Sequence, residues 1–167
     1  MDDSTVKQQL VRQYLAAMAM LRNAIEACPS DLWFDEKYTN PFWRSAYHVV
    51  FFTHFYVHAS EEDFRPWLRH QQNSNYLGPR SEVPDDSAAI TPYTREDVLE
   101  YWDLCRDQVA QRVSQDNLEA SSGFPWLPFN RFELHLYNLR HLAHHTGQLA
   151  DRLRVVAHVG VKWVRQG

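Results

Sequence analysis

A chain of 167 residues, 44% apolar and 14% aromatic, is long enough to bury one core without disulfide or metal staples. Its net charge of −4 and its three scattered lysines, Lys7, Lys37 and Lys162, exclude the basic stripe of a nucleic-acid binder. No apolar run reaches the length of a membrane span, and the acidic start Met1-Asp2-Asp3-Ser4 lacks the basic end and apolar stretch of a secretory leader. The expectation is therefore a single cytoplasmic domain over residues 1–167. Cys28 and Cys105 form no CxxC pair and sit in amphipathic stretches, which predicts two buried, reduced thiols.

Four segments carry helical periodicity. The first follows Ser4-Thr5 as its cap, carries Leu10, Tyr14, Ala17, Met18, Leu21 and Ile25, and stops at Pro29. The second starts near Asn40-Pro41, a capping residue followed by proline in the first turn, and runs through Phe51, Phe52, Phe55 and Ala59 towards Glu62. A connection of roughly thirty residues comes next, far longer than a usual helix–helix link. Its prolines (Pro66, Pro79, Pro84, Pro92) break regular structure, while Phe64, Trp67 and Tyr76 predict that its rings order it across the bundle. The third helix follows Thr94, whose spacing to Asp97 is that of a capping box, and buries Val98, Trp102, Cys105 and Val109. The fourth follows Gly123, Pro125 and Pro128, begins near Asn130 and extends to about His158, with a stripe of Leu134, Tyr137, Leu149, Val155 and Val156. The fold class is all-α, a four-helix bundle with a long crossover between helices 2 and 3.

Nine histidines are present. His141 and His145 are one turn apart, about 40° around the helix, and lie on the inward stripe, so their rings can converge on one ion. Burying two imidazoles without partners would cost several kcal/mol, roughly the cost a metal removes by accepting their lone pairs. A third ligand has to come from another helix, and His48, on the Phe51–Phe55 stripe, supplies it. His54 and His58 project about 80–120° away from His48 and are expected to face solvent, or to form a second site or a lid. His144 falls to the flank of His141, and Gln148 follows His145 by one turn; both are read as supporting or substrate-contacting groups. Gly147 fits a close approach by a helix or a ligand, and Trp43, Tyr47 and Tyr137 fit either a pocket wall or the core. No HExxH glutamate, Ser-His-Asp set, phosphate loop or dinucleotide fingerprint is present, so no catalytic residue is assigned.

The motif Trp43-x4-His48 and the segment Asn138-Leu-Arg-His-Leu-Ala-His-His-Thr-Gly-Gln-Leu149 resemble the DinB-like family of damage-inducible and related bacterial proteins. This metal-binding helical family is distinct from the DNA polymerase that shares the gene name. The resemblance implies an up-down-down-up bundle with a left-handed connection between helices 2 and 3, often a homodimer. It also implies a divalent metal held by three histidines, here His48, His141 and His145. Zinc or nickel leads among the ions, and iron(II) and cobalt also suit an all-nitrogen set. Some relatives use low-molecular-weight thiols, as bacillithiol transferases, mycothiol-dependent isomerases or the bundle domain of ergothioneine-forming enzymes; others are described as metal-dependent hydrolases. The implied activity is thiol transfer or hydrolysis on a small molecule, with a non-catalytic metal-binding stress or sensor module as the alternative.

Overall fold

The computed structural model describes residues 2–78 and 89–167. Met1, Pro79 and Pro84, which enter the reading of the start and of the long connection, lie outside the described residues. The described chain is all-helical, with helices α1 (Asp3–Ala27), α2 (Ser30–Trp33), α3 (Phe42–Tyr56), α4 (Arg95–Gln115) and α5 (Arg131–Arg152). Among the described residues there is no strand, only an isolated bridge between Ser121 and Asn130. No described helix is long and apolar enough to cross a membrane.

The four long helices are the four segments read from periodicity, and α2 is an extra turn. Capping explains where they begin. Thr94 accepts from the Asp97 amide while Asp97 accepts from the Thr94 amide, completing the expected capping box of α4. Asn130 accepts from the Glu133 amide at the start of α5. The other two starts differ from expectation. Asp2, not Ser4-Thr5, caps α1 through the Thr5 amide. Pro41 occupies the N-cap of α3 with no side-chain cap; Asn40 instead accepts from the Gly78 amide at 3.2 Å and gives its carbonyl to Arg152 at 3.0 Å. It thus ties the end of the connection's first described part and the end of α5 to one point.

Helix α1 packs against α4 and α5, and α3 packs against the same two. The rings of Tyr14, Trp33, Phe42, Tyr47 and Tyr101 fill the core between them, each worth roughly 1.5–3 kcal/mol of burial for its apolar part. Every residue of α3 except Phe52 is buried. A helix apolar all round belongs in the centre of a structure, and the long connection completes the cover: Trp67 stacks on Tyr101 and Phe64 packs edge-on to Phe51 and Phe55. Helix α3 is shorter than expected. It stops at Tyr56, leaving Ala59 exposed, and Gly123 (φ +80°) lets the loop after α4 seat against the Ala59 carbonyl, where a Cβ would lie 1.8 Å from the oxygen.

After Arg152 the last helix widens into a π-helical turn, Leu153–Ala157, ended by His158 in the left-handed region (φ 57°). The extra residue in that turn shifts the helical phase. Val155 and Val156, expected on the inward stripe, are consequently 65% and 45% exposed. Cys28 and Cys105 are buried and unpaired, as expected.

Candidate metal centre

His48, His141 and His145 come together between α3 and α5, with ligand nitrogens all within 4.8 Å of one another. His48 Nε2 and His141 Nε2 are 3.0 Å apart. Two nitrogens bound to one ion at about 2.0–2.1 Å lie roughly 3 Å from each other, so this spacing suits a shared cation. The three rings face one another at centroid distances of 5.0, 4.7 and 4.6 Å, and Phe52 packs against both His48 and His141.

The outer nitrogens fix which face each ring presents. His48 Nδ1–H donates to the Asn75 carbonyl at 2.7 Å, and His145 Nδ1–H donates to Gln148 Oε1 at 2.8 Å. Each hydrogen bond selects the tautomer with a bare Nε2. His141 has no such support: its Nδ1 is buried without a partner, and the ring is held by packing against Phe52 and His48.

Burial keeps the set uncharged. It lowers His48 to about 4, opposed by the hydrogen bond to the Asn75 carbonyl and helped by His145. His141 is lowered to about 3, first by burial and then by His48 and His145. His145 is lowered as well, again by burial first. Neutral imidazoles with aimed lone pairs are what a divalent cation requires of its ligands, so the residues fit such an ion. Three protein ligands leave room for a further one.

His144 does not join the cluster; it is exposed, with its ring edge-on to His145 at 4.9 Å. With Tyr137, Arg140 and His141 it lines a cavity of about 240 Å³. Gly147 meets no approaching helix, since a Cβ there would have open space. Trp43 and Tyr47 belong to the core, and the Tyr47 hydroxyl is hydrogen-bonded to His70 Nδ1 at 2.7 Å.

His54 and His58 are the plain correction. Each is only 2% exposed, which rules out a solvent-facing pair or a lid. His54 Nδ1 pairs with the Tyr101 hydroxyl at 3.0 Å, and His58 Nδ1–H donates to the His54 carbonyl at 2.9 Å. Neither has a further metal-ligating group close enough to make a second site among the described residues. Phase relative to His48 placed them away from the triad but could not reveal that α3 is covered on that side too.

Two polar features left little or no signal in the sequence. The acceptor of His48 is a backbone carbonyl 27 positions on, which leaves no mark in residue type. Beyond the triad, buried Arg131 pairs with Asp116 at 2.6 Å and donates to the His58 carbonyl at 2.7 Å. His135 Nε2–H donates to the same Asp116 oxygen at 2.9 Å, and Tyr14 closes the set on His135. The inward phase of His135 on α5 was the available hint.

Comparison with known proteins agrees with the two motifs. No curated protein and no solved structure matches the chain significantly. The family model of the DinB superfamily, however, matches residues 13–149, a span that holds all three clustered histidines and Gln148. With most of its length matched, and a three-histidine cluster joining the helices that carry both motifs, the chain belongs to the DinB superfamily.

Proposed function

We propose that His48, His141 and His145 hold a divalent metal and that the chain is a metal-dependent enzyme acting on a small molecule by thiol transfer or hydrolysis. The observation that carries this reading is the convergence of three neutral imidazoles, two of them locked by outer hydrogen bonds into the tautomer a cation needs. When bound, such an ion supplies Lewis acidity and lowers the pKa of a coordinated water or thiol. Zinc or nickel leads among the candidate ions, with iron(II) and cobalt next.

The residues around the cluster divide the remaining work. Gln148 holds His145, the Asn75 carbonyl holds His48, and Phe52 excludes water from behind the rings. The protein's own thiols take no part: burial pushes Cys28 up to about 12 and raises Cys105 still further. A thiol reactant therefore enters as a free low-molecular-weight molecule. Two free, buried cysteines also suit a reducing, cytoplasmic setting. The wider reading is a single domain whose long helices run up-down-down-up with a left-handed crossover, assembled as a homodimer. The packing of α1 and α3 each against α4 and α5 supports the bundle order.

One observation favours a second reading, a non-catalytic metal-binding module. The cluster bridges α3 and α5, so an ion there would order the bundle whether or not it turned anything over. The deciding experiment loads untagged protein with zinc or nickel. It then presents a panel of low-molecular-weight thiols with electrophiles, and of esters and amides. Metal-dependent turnover that is lost in His141→Ala establishes the enzyme. Stoichiometric metal with no turnover in any combination replaces it with the module, and stoichiometric metal surviving in His48→Ala, His141→Ala and His145→Ala removes the site.

A further inference from the structure

We infer that Arg140 makes the cavity beside His141 selective for a carboxylate, so that the substrate is a small molecule bearing a carboxylate as well as the group it presents to the histidines. This deepens the metal-site reading and rests on it.

Arg140 immediately precedes His141 on α5 and is exposed. Its guanidinium lies over the Tyr137 ring, 5.4 Å from the centroid, and lines the cavity of about 240 Å³ whose other walls are Tyr137, His141 and His144. Among the described residues it forms no ion pair, as Arg12 of α1 also forms none, whereas Lys7 pairs with Asp3, Arg22 with Glu26 and Asp103, and Arg106 with Asp103 and Asp107. The contrast is local in origin. The positions one turn away on either side of Arg140 are Leu136, Tyr137, Ala143 and His144, none of them acidic.

The charge is thus left open next to a ligand of the cluster, with no carboxylate of the protein lining that cavity. The Tyr137 ring, itself packed against Tyr56 and Phe129, restrains the guanidinium without occupying its hydrogen-bonding edge. A planar fork of donors held over an aromatic face is suited to bidentate capture of a carboxylate. A lysine would offer a point charge without that geometry.

The test uses untagged, zinc-loaded protein and two probes, 3-mercaptopropionate and 3-mercapto-1-propanol, which share a thiol and differ in the carboxylate. Calorimetric titration should show the acid binding about tenfold or more tighter than the alcohol. In Arg140→Gln that preference should fall to parity with zinc stoichiometry unchanged, and Arg140→Lys should keep part of it. Equal binding of the two probes by the native chain, or a preference that survives in Arg140→Gln, overturns the assignment of Arg140. If zinc does not bind at one per chain, the metal reading fails instead. Arg140 is then judged on metal-free protein by ligand-observed NMR with phenylacetate against phenylacetamide. Selective binding of the acid that disappears in Arg140→Gln upholds the carboxylate site, and equal or absent binding of both overturns it.

Discussion

Two sets of histidines, His54 with His58 at and just beyond the end of α3, and His48 of α3 with His141 and His145 of α5, look alike in the sequence and behave differently in the fold. His54 and His58 spend their Nδ1 atoms inside the protein, on the Tyr101 hydroxyl and on the His54 carbonyl. His48 also gives its Nδ1–H to a carbonyl, but its Nε2 is aimed at His141 across the gap to α5. All are kept neutral by burial, with His54 lowered to about 3 and His48 to about 4. Neutrality is therefore not what distinguishes a ligand. The difference is whether a second helix brings further lone pairs to the same point. One pair is packing; the other set is a cluster that could hold a metal ion.

The largest expected effect tests that division directly. His48→Ala or His141→Ala should abolish stoichiometric metal in untagged protein, measured by elemental analysis, whereas His54→Ala and His58→Ala should keep one ion per chain once refolded. Metal loss in the His54 variant of an otherwise folded protein would merge the two sets. The order reverses for the metal-free chain. His54→Ala leaves a cavity and strands the Tyr101 hydroxyl, and should cost about 3 kcal/mol in denaturant unfolding with chelator present. His145→Ala, at a half-buried position, should cost about 1 kcal/mol.

Acid should act on both sets. An unfolded histidine takes up a proton below about 6.5, while folded His48 and His54 resist until about 4 and about 3. Between those values the unfolded chain binds more protons, so stability must fall as pH falls from about 6.5 towards 4, by up to about 1.4 kcal/mol per pH unit for each suppressed ring. Denaturant titrations of metal-free protein at a series of pH values measure that slope, and His54→Phe should flatten it. A slope of the opposite sign would mean that these rings are charged in the folded chain. The smallest effect belongs to Gln148→Ala, which removes the partner of His145 Nδ1 at an exposed position. Metal affinity should drop about tenfold with stability unchanged.

Much of this was legible where local chemistry decides. The Thr94–Asp97 box, the start of α5 near Asn130 and the one-turn spacing of His141 and His145 each rest on residues within a turn of one another, and each appears as read. What failed depends on distant chain. Asn40 looks like a helix cap, but Gly78 and Arg152 claim it. His54 and His58 look peripheral because an angle measured on one helix says nothing about Phe64 or Tyr101 covering the far side. Val155 and Val156 were assigned by extending a 3.6-residue period through a turn that takes more residues. The Arg131–Asp116–His135 network joins the end of α4 to the start of α5, and only the fold makes it one object.

The 2.7 Å bond from His48 to the Asn75 carbonyl gives the crossover a role in choosing between two isomers of one ring. An imidazole free of that carbonyl can carry its proton on either nitrogen, and half of the choices point a proton, not a lone pair, at His141. The segment around Asn75 thus sets the ring's chemical identity as well as its position. Length changes in the crossover on the Trp67 side of Asn75 should be felt as altered metal affinity long before they are felt as altered helix packing.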